Sequence, residues 1–309
     1  MDEAERLRLV SLIRESAVPL APELPPLPAA FGELPALARN GNKIRAVLFD
    51  VYGTLFCSAA GDISHAAKDA ASSPGAASAG AALDALARQY GLAGEEMRSF
   101  FRQKVAGIHQ MRLAETPWPE VQVEEIWADF LYQRNSVPFC NGGARSSAAS
   151  RELALRYELA VNPVYPMPGA AEIIAALQDA GFVMGIISNA QFFTPLLFEA
   201  FFGALPKNLG FDPALLIWSF EMGEAKPSPL LFETAAQRLE TRGIAVADCA
   251  FVGNDMLSDI YGSINAGFQG VLFAGDSRSL RLREGEALVQ GLWPSSVIRS
   301  LGDLSAILA

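Results

Sequence analysis

Three cysteines and two histidines are sparse equipment for a chain of 309 residues. Cys57, Cys140 and Cys249 are odd in number and widely spaced, with no C-x-x-C pair, which excludes a disulfide framework and a zinc site. They are expected to be reduced thiols in a cytoplasmic protein. His65 and His109 are too few for a histidine-based metal centre or a Ser-His-Asp triad. Positive charge is short as well: 24 Lys and Arg against 34 Asp and Glu leave a formal charge of -10. Affinity for nucleic acid comes largely from Lys and Arg neutralising phosphates, so no nucleic-acid partner is expected. No uninterrupted apolar run approaches the roughly 20 residues a bilayer demands, so no membrane span is expected either. The charged opening, Met1-Asp2-Glu3-Ala4-Glu5-Arg6, lacks the basic-then-apolar order of a secretion signal, which again predicts a cytoplasmic chain.

What the chain does have is apolar substance. Hydrophobic residues make up 51% and mean hydropathy is +0.22, as suits a parallel sheet buried on both faces. The length exceeds the roughly 100 to 200 residues of one domain, so a core with a second, smaller domain is expected. Residues 3–16 place Leu7, Leu9, Val10, Leu12 and Ile13 on or near one helical stripe, and a proline-rich run over 19–28 then stops any helix. Residues 1–42 are therefore read as an arm preceding the core.

Ala46-Val47-Leu48-Phe49, ending at Asp50 and followed by Tyr52-Gly53-Thr54, suits a buried strand feeding a turn. Residues 58–82 are mostly Ala, Ser and Gly, with little surface to bury, and are expected to be an exposed or mobile insertion. From Ala81 to about Tyr157, Leu83, Leu86, Tyr90, Phe100, Phe101, Val105 and Ile108 recur at three- and four-residue spacing. This predicts helix throughout, and an all-helical domain over 58–164. Beyond Pro166-Met167-Pro168-Gly169 the pattern alternates: helix 171–177, strand 183–187, helix from Pro195, strand 215–219, helix 229–239, strands 250–252 and 270–273, and a last helix near Leu301. Such alternation implies an α/β, Rossmann-like, doubly wound parallel sheet built from residues 43–57 and 165–309.

In an open parallel sheet, ligands bind beyond the carboxyl ends of the strands. Four strands offer Asp50; Ser188 with Asn189; Lys226; and Asn254, Asp255 and Asp259, and the topology would gather them into one polar cluster. The strings that carry them, Asp50-Val51-Tyr52-Gly53-Thr54-Leu55, Ile187-Ser188-Asn189, Ala225-Lys226-Pro227 and Val252-Gly253-Asn254-Asp255-Met256-Leu257-Ser258-Asp259, resemble the four ordered motifs of the haloacid dehalogenase superfamily. The resemblance covers residues 43–57 and 165–309, and the helical insertion resembles that family's C1-type cap.

The resemblance implies a hydrolase in which Asp50 is the nucleophile and passes through a covalent aspartyl intermediate. Gly53 lets the chain turn over the site. Thr54, Ser188 and Asn189 would offer polar groups, and Lys226 a positive charge, to a small anionic substrate. Asp50, the Tyr52 carbonyl, Asp255 and Asp259 would hold Mg²⁺. Helix capping is the plain alternative for Asp255 and Asp259.

Phosphatases of the superfamily place a second Asp two residues after the nucleophile, as acid and then base. Here that residue is Tyr52, and loss of such a group typically costs about 10² to 10⁴ in rate. Dehalogenases carry D-x-Y-G-T as here, because a halide leaves without a proton, and Arg102 resembles their cap arginine. Asp255 and Asp259 pull the other way, as does Phe232 where dehalogenases have Tyr. Asp50, Asp255 and Asp259 outweigh Lys226 by two negative charges. Like charges about 4 Å apart at a dielectric near 20 cost roughly 4 kcal/mol, so either a divalent cation binds or one carboxylate is protonated. The favoured expectation is Mg²⁺-dependent phosphoryl hydrolysis; the alternatives are a metal-independent 2-haloacid dehalogenase and a catalytically silent binding protein. Arg102, His109, Arg112, Trp118 and Trp127 are the candidate substrate residues of the helical domain.

Overall fold

Four apolar residues, Ala46–Phe49, form strand β1, which is buried on both faces and lies inside a six-stranded sheet. The computed structural model describes residues 1–29, 31, 37, 43–60, 76–134 and 147–308. Helix α1, Glu3–Glu15, begins with the Asp2 side chain accepting from the Glu5 N–H and buries Leu9, Val10, Leu12 and Ile13. After β1 come β2 (Phe56–Ser58), α2 (Ala76–Arg88), α3 (Gly94–Arg112), α4 (Val123–Gln133), α5 (Ala148–Val161) and β3 (Val164–Pro166). The remainder alternates: α6 (Ala170–Asp179), β4 (Val183–Ser188), α7 (Thr194–Phe202), β5 (Phe211–Trp218), α8 (Ser219–Met222), α9 (Pro229–Glu240), β6 (Cys249–Gly253), α10 (Gly262–Asn265), β7 (Gln269–Phe273), β8 (Ser296–Ile298) and α11 (Asp303–Leu308).

The sheet order is β5-β4-β1-β6-β7-β8, and every pair is parallel. This is the predicted α/β, Rossmann-like architecture. The chain builds outward from β1 through β4 to β5, then returns to β6 on the other flank, so the order reverses beside β1. A crevice opens at the carboxyl ends where that reversal falls. Register then decides which residues meet. Phe49 lies opposite Ile186 on one side and Val252 on the other, so Asp50 emerges level with the ends of both neighbours. Strand β5 starts at Phe211, four residues before the expected 215, because Pro213 is tolerated on an edge strand that needs no further ladder partner.

The helices α2–α5 lie between β2 and β3, which pair antiparallel from Phe56↔Pro166 to Ser58↔Val164. This ribbon was not legible in the sequence, since three residues are too few to show a period of two. Helix α2 begins at Ala76, so residues 76–82 are helix and not the expected loose insertion; alanine is the strongest helix former. Residues 61–75, with His65, and residues 135–146, with Cys140, lie outside the described residues. Helix is also not continuous to Tyr157: between α3 and α4, residues 113–122 hold Pro117 and Pro119, which break it.

Trp127, wholly buried, anchors the packing of these helices. Phe101 stacks on it at 5.7 Å and Tyr157 tilts against it at 4.7 Å. One apolar cluster runs from α1 through Phe49, Phe56 and Phe198 to Phe101 and Trp127, so arm, sheet and helical insertion share a core. Among the described residues, no helix is long and apolar enough to cross a membrane.

Candidate active site

Asp50 follows β1 and is 6% exposed. Its Oδ1 accepts hydrogen bonds from Ser188 Oγ at 3.0 Å and from Lys226 Nζ at 2.6 Å. The same Nζ donates to Asp259 Oδ1 at 2.5 Å, so one buried lysine joins two carboxylates. Burial opposes the charge on Lys226, but attraction from Asp259 and Asp50 prevails and raises its pKa above the ordinary lysine value. Burial likewise raises Asp259, with Lys226 pulling the other way and Asp50 and Asp255 adding repulsion. The lysine is thus held in its charged form, while burial and the neighbouring carboxylates favour the protonated form of Asp259.

Two glycines make room for this arrangement. Gly53 has φ +81, and a Cβ there would lie 2.5 Å from Ser279 Cβ. A Cβ on Gly253 would lie 2.4 Å from Asp259 Cγ. No larger residue fits at either point without moving the site.

The cavity above Asp50 measures about 20 Å³ and is bordered by Asp50, Tyr52, Asn189, Lys226, Asn254, Asp255, Ser258, Asp259 and Arg281. That is room for a water molecule or a small ion. Predicted residues therefore divide in two. Asp50, Tyr52, Asn189, Lys226, Asp255 and Asp259 meet at the cavity. Thr54 and Ser188 lie behind it, with hydroxyls directed to Asn254 Oδ1 at 3.0 Å and to Asp50. They shape the loop that carries Asp50, and neither residue borders the cavity. Asn189 reaches the cavity while its Oδ1 accepts the Lys226 backbone N–H at 2.7 Å. The Tyr52 hydroxyl is turned to Thr194 Oγ1, 3.0 Å away.

The residues predicted on the helical insertion do not border this cavity. Arg102 is exposed and pairs with Glu95 on its own helix. His109 is half-buried on α3, Arg112 donates to the Glu120 carbonyl at 2.7 Å, and Trp127 belongs to the aromatic core. Trp118 touches the sheet domain through its carbonyl, which accepts the Ala225 N–H at 2.8 Å. The spacing of these residues was equally that of a helix burying one face; Trp127 is buried in this way, while Arg102 stays exposed.

Arg281 and Arg283 were missed. They lie in the loop after β7, at the same end of the sheet as the other site residues, and applying the strand-end rule to this fifth strand would have found them. Arg283 Nε lies 3.1 and 3.0 Å from the two oxygens of Asp255, and its Nη2 donates to Oδ2. It does so from φ +55, a left-handed backbone that a residue with a Cβ rarely adopts. Asp255 Oδ1 also accepts the N–H groups of Leu257 at 2.8 Å and Ser258 at 3.1 Å, so the capping alternative holds for this residue.

These contacts bear on the predicted cation. Arg283 takes up one of the two excess negative charges by pairing with Asp255, and the guanidinium of Arg281 borders the same cavity. Asp255 is forked by an arginine, and Asp50 and Asp259 share a lysine. Among the described residues, no group of three or more His, Cys, Asp or Glu side chains is placed to hold an ion. As they stand, Asp50, the Tyr52 carbonyl, Asp255 and Asp259 do not fit Mg²⁺.

A strand-end aspartate bound to a buried lysine lies at the carboxyl edge of a parallel sheet, where proteins of the α/β class bind their ligands. The model of haloacid dehalogenase-like hydrolases matches residues 44–267, and the chain belongs to that family. No curated protein sequence matches it. Among solved structures, a HAD phosphatase from Thermococcus onnurineus is similar, with a TM-score of 0.50 and 20% identity over 86% of this chain and 98% of that one. So is a 2-haloacid dehalogenase from Pseudomonas syringae pv. Tomato DC3000, with a TM-score of 0.50 and 21% identity over 86% of this chain and 98% of that one. Identities this low speak for the fold alone, and the same fold serves both names.

Proposed function

We propose that this hydrolase uses Asp50 to displace, from a small anionic substrate, a leaving group that departs without a proton, with halide at carbon as the type. The observation that carries this reading is the Tyr52 hydroxyl, which is committed to Thr194 where an acid for the leaving group would be needed. Asp50 attacks the substrate carbon through its carboxylate. The bond to the leaving group breaks with its electron pair on the departing halide, and an aspartyl ester forms. Water then hydrolyses the ester, giving the hydroxylated product and a proton and restoring Asp50. Lys226 and Ser188 hold the carboxylate in place throughout by donating to its Oδ1. The helical insertion serves as a cap, docked beside Lys226 through the pairing of Pro119 with Glu224.

A second reading, Mg²⁺-dependent phosphoryl hydrolysis, is favoured by one observation: Asp50, Asp255 and Asp259 border the same ion-sized cavity. It requires Arg283 to release Asp255. The two readings separate in paired assays of the full chain and of Asp50→Asn. Halide release from 2-chloropropionate that persists in EDTA and disappears in Asp50→Asn is the expected outcome. Phosphate release from p-nitrophenyl phosphate that requires added Mg²⁺ and Asp50, without halide release, would sink the first reading and establish the second.

A further inference from the structure

We propose that Arg281, from the sheet domain, is the receptor for the anionic group of the substrate, a contact for which the sequence had offered Arg102 of the insertion as a candidate. The inference rests on the Asp50 reading only for what happens at the other end of the bound molecule.

Among the described residues, each cation near Asp50 but one is paired with a carboxylate. Lys226 lies between Asp50 and Asp259, Arg283 is forked on Asp255 and Arg278 is paired with the buried Asp276. Arg281 is oriented by carbonyl oxygens instead. Its Nη1 donates to Arg278 O at 2.6 Å and to Leu280 O at 3.2 Å, and its Nη2 to Ala60 O at 3.3 Å. Carbonyls fix the plane of a guanidinium without cancelling its charge. Among the described residues, Arg281 has no carboxylate in ion-pair contact, and it borders the cavity that holds Asp50. A planar fork of N–H donors suits a carboxylate or a phosphate, which it can grip through two oxygens.

The position of Arg281 is tied to the nucleophile loop. Its N–H donates to Asn254 O at 3.0 Å and its carbonyl accepts the Met256 N–H at 2.8 Å, a rung of parallel pairing beside Asp255. Asn254 Nδ2 donates to Ser279 O at 2.7 Å, and Ser279 Oγ reaches Gly53 O at 3.4 Å. The arm braces the same loop from outside: Ser277 N–H donates to Glu23 O at 2.6 Å, and Arg278 donates to Ala21 O at 2.8 Å. The backbone of Arg281 is therefore held on the sheet side of the site, and its Nη2 reaches across to Ala60 O at the start of the insertion. Arg102 has no such tie, since its side chain is 59% exposed and paired with Glu95.

The test is calorimetric titration of the full chain in an Asp50→Asn background, which prevents turnover. The probes are 2-chloropropionate, inorganic phosphate and the neutral 2-chloropropionamide. Arg281→Gln should weaken binding of at least one anion by about tenfold or more, as expected for loss of a charged hydrogen-bond pair, and leave the amide unchanged. Arg281→Lys keeps the charge and should recover part of the loss, which separates anion recognition from damage to the fold. Anion binding that is unchanged in Arg281→Gln, or lost in Arg102→Gln instead, would overturn the proposal, as would an Asp50→Asn chain that binds neither anion. Arg281-dependent binding in a chain whose wild type hydrolyses nothing would defeat the Asp50 reading and leave this one standing.

Discussion

Tyr52 sits two residues after Asp50, and its neighbours decide what its phenol can do. It is 3% exposed and its hydroxyl meets Thr194 Oγ1, which also accepts the Gln191 N–H at 3.0 Å. A phenol so placed holds α7 against the loop that follows Asp50. Tyr52→Phe is expected to cost about 1 kcal/mol in urea unfolding, the worth of one buried hydrogen bond, and to keep halide release within about threefold. A loss of about a hundredfold or more, the scale of a missing general acid, would return the phenol to the chemistry. The sequence showed which residue type stood at this position; the direction of its hydroxyl depended on Thr194, 142 residues away.

The helical insertion is held to the sheet domain by a buried polar junction. Glu120 N–H donates to Gly223 O at 3.1 Å, and Glu120 Oε2 accepts Ser219 Oγ at 2.5 Å. Gln191 Nε2 donates to Val121 O at 2.9 Å while its Oε1 accepts the Val123 N–H at 3.1 Å. Gln191 lies two residues beyond Asn189 of the Ser188-Asn189 motif, so one short loop both supports Asp50 and anchors the insertion. Helix α4, which leaves this junction, carries a liability at Glu124, whose buried Oε2 has no hydrogen-bond partner among the described residues. Burial raises the Glu124 pKa from its ordinary 4.5. The folded state therefore holds that proton more tightly than the unfolded state does. The resulting stability is present in acid and is lost as pH rises through the raised value. Glu124→Gln should accordingly raise Tm at pH 7 to 8, by about 2 to 4 °C, and change it little at pH 4. Equal gains at both pH values would show that ionisation of Glu124 is not the cause.

Helix α1 packs against both the sheet domain and the insertion. On the sheet side, Arg6 pairs with Glu199 and Arg14 donates to Glu199 O and Ala200 O, both at 2.9 Å. On the insertion side, Arg151 of α5 grips Glu5 at 2.7 and 2.9 Å. Beneath these pairs Leu9, Val10 and Ile13 enter the common core. Leu9→Ala is expected to cost about 2 to 5 kcal/mol and to shift a single urea transition, seen alike by circular dichroism and by tryptophan fluorescence. Two separated transitions would mean that insertion and sheet unfold independently and that α1 does not couple them.

Much of this molecule was present in the one-dimensional pattern. Apolar runs of four to six residues marked β1, β4, β6 and β7 because a strand buried on both faces has no polar side to show. Residues at the ends of those strands marked the candidate site, because parallel strands bring their carboxyl ends to one edge. Tertiary structure alone decided the electrostatics. Arg283 meets Asp255 across 28 residues, and Lys226 meets Asp50 across 176. Which carboxylate receives which cation is a matter of distances of a few ångströms, set by loop backbone that has no periodicity to read. It also decided the fate of the helical insertion's aromatics and arginines, since helical spacing says which residues share a face and not what that face meets.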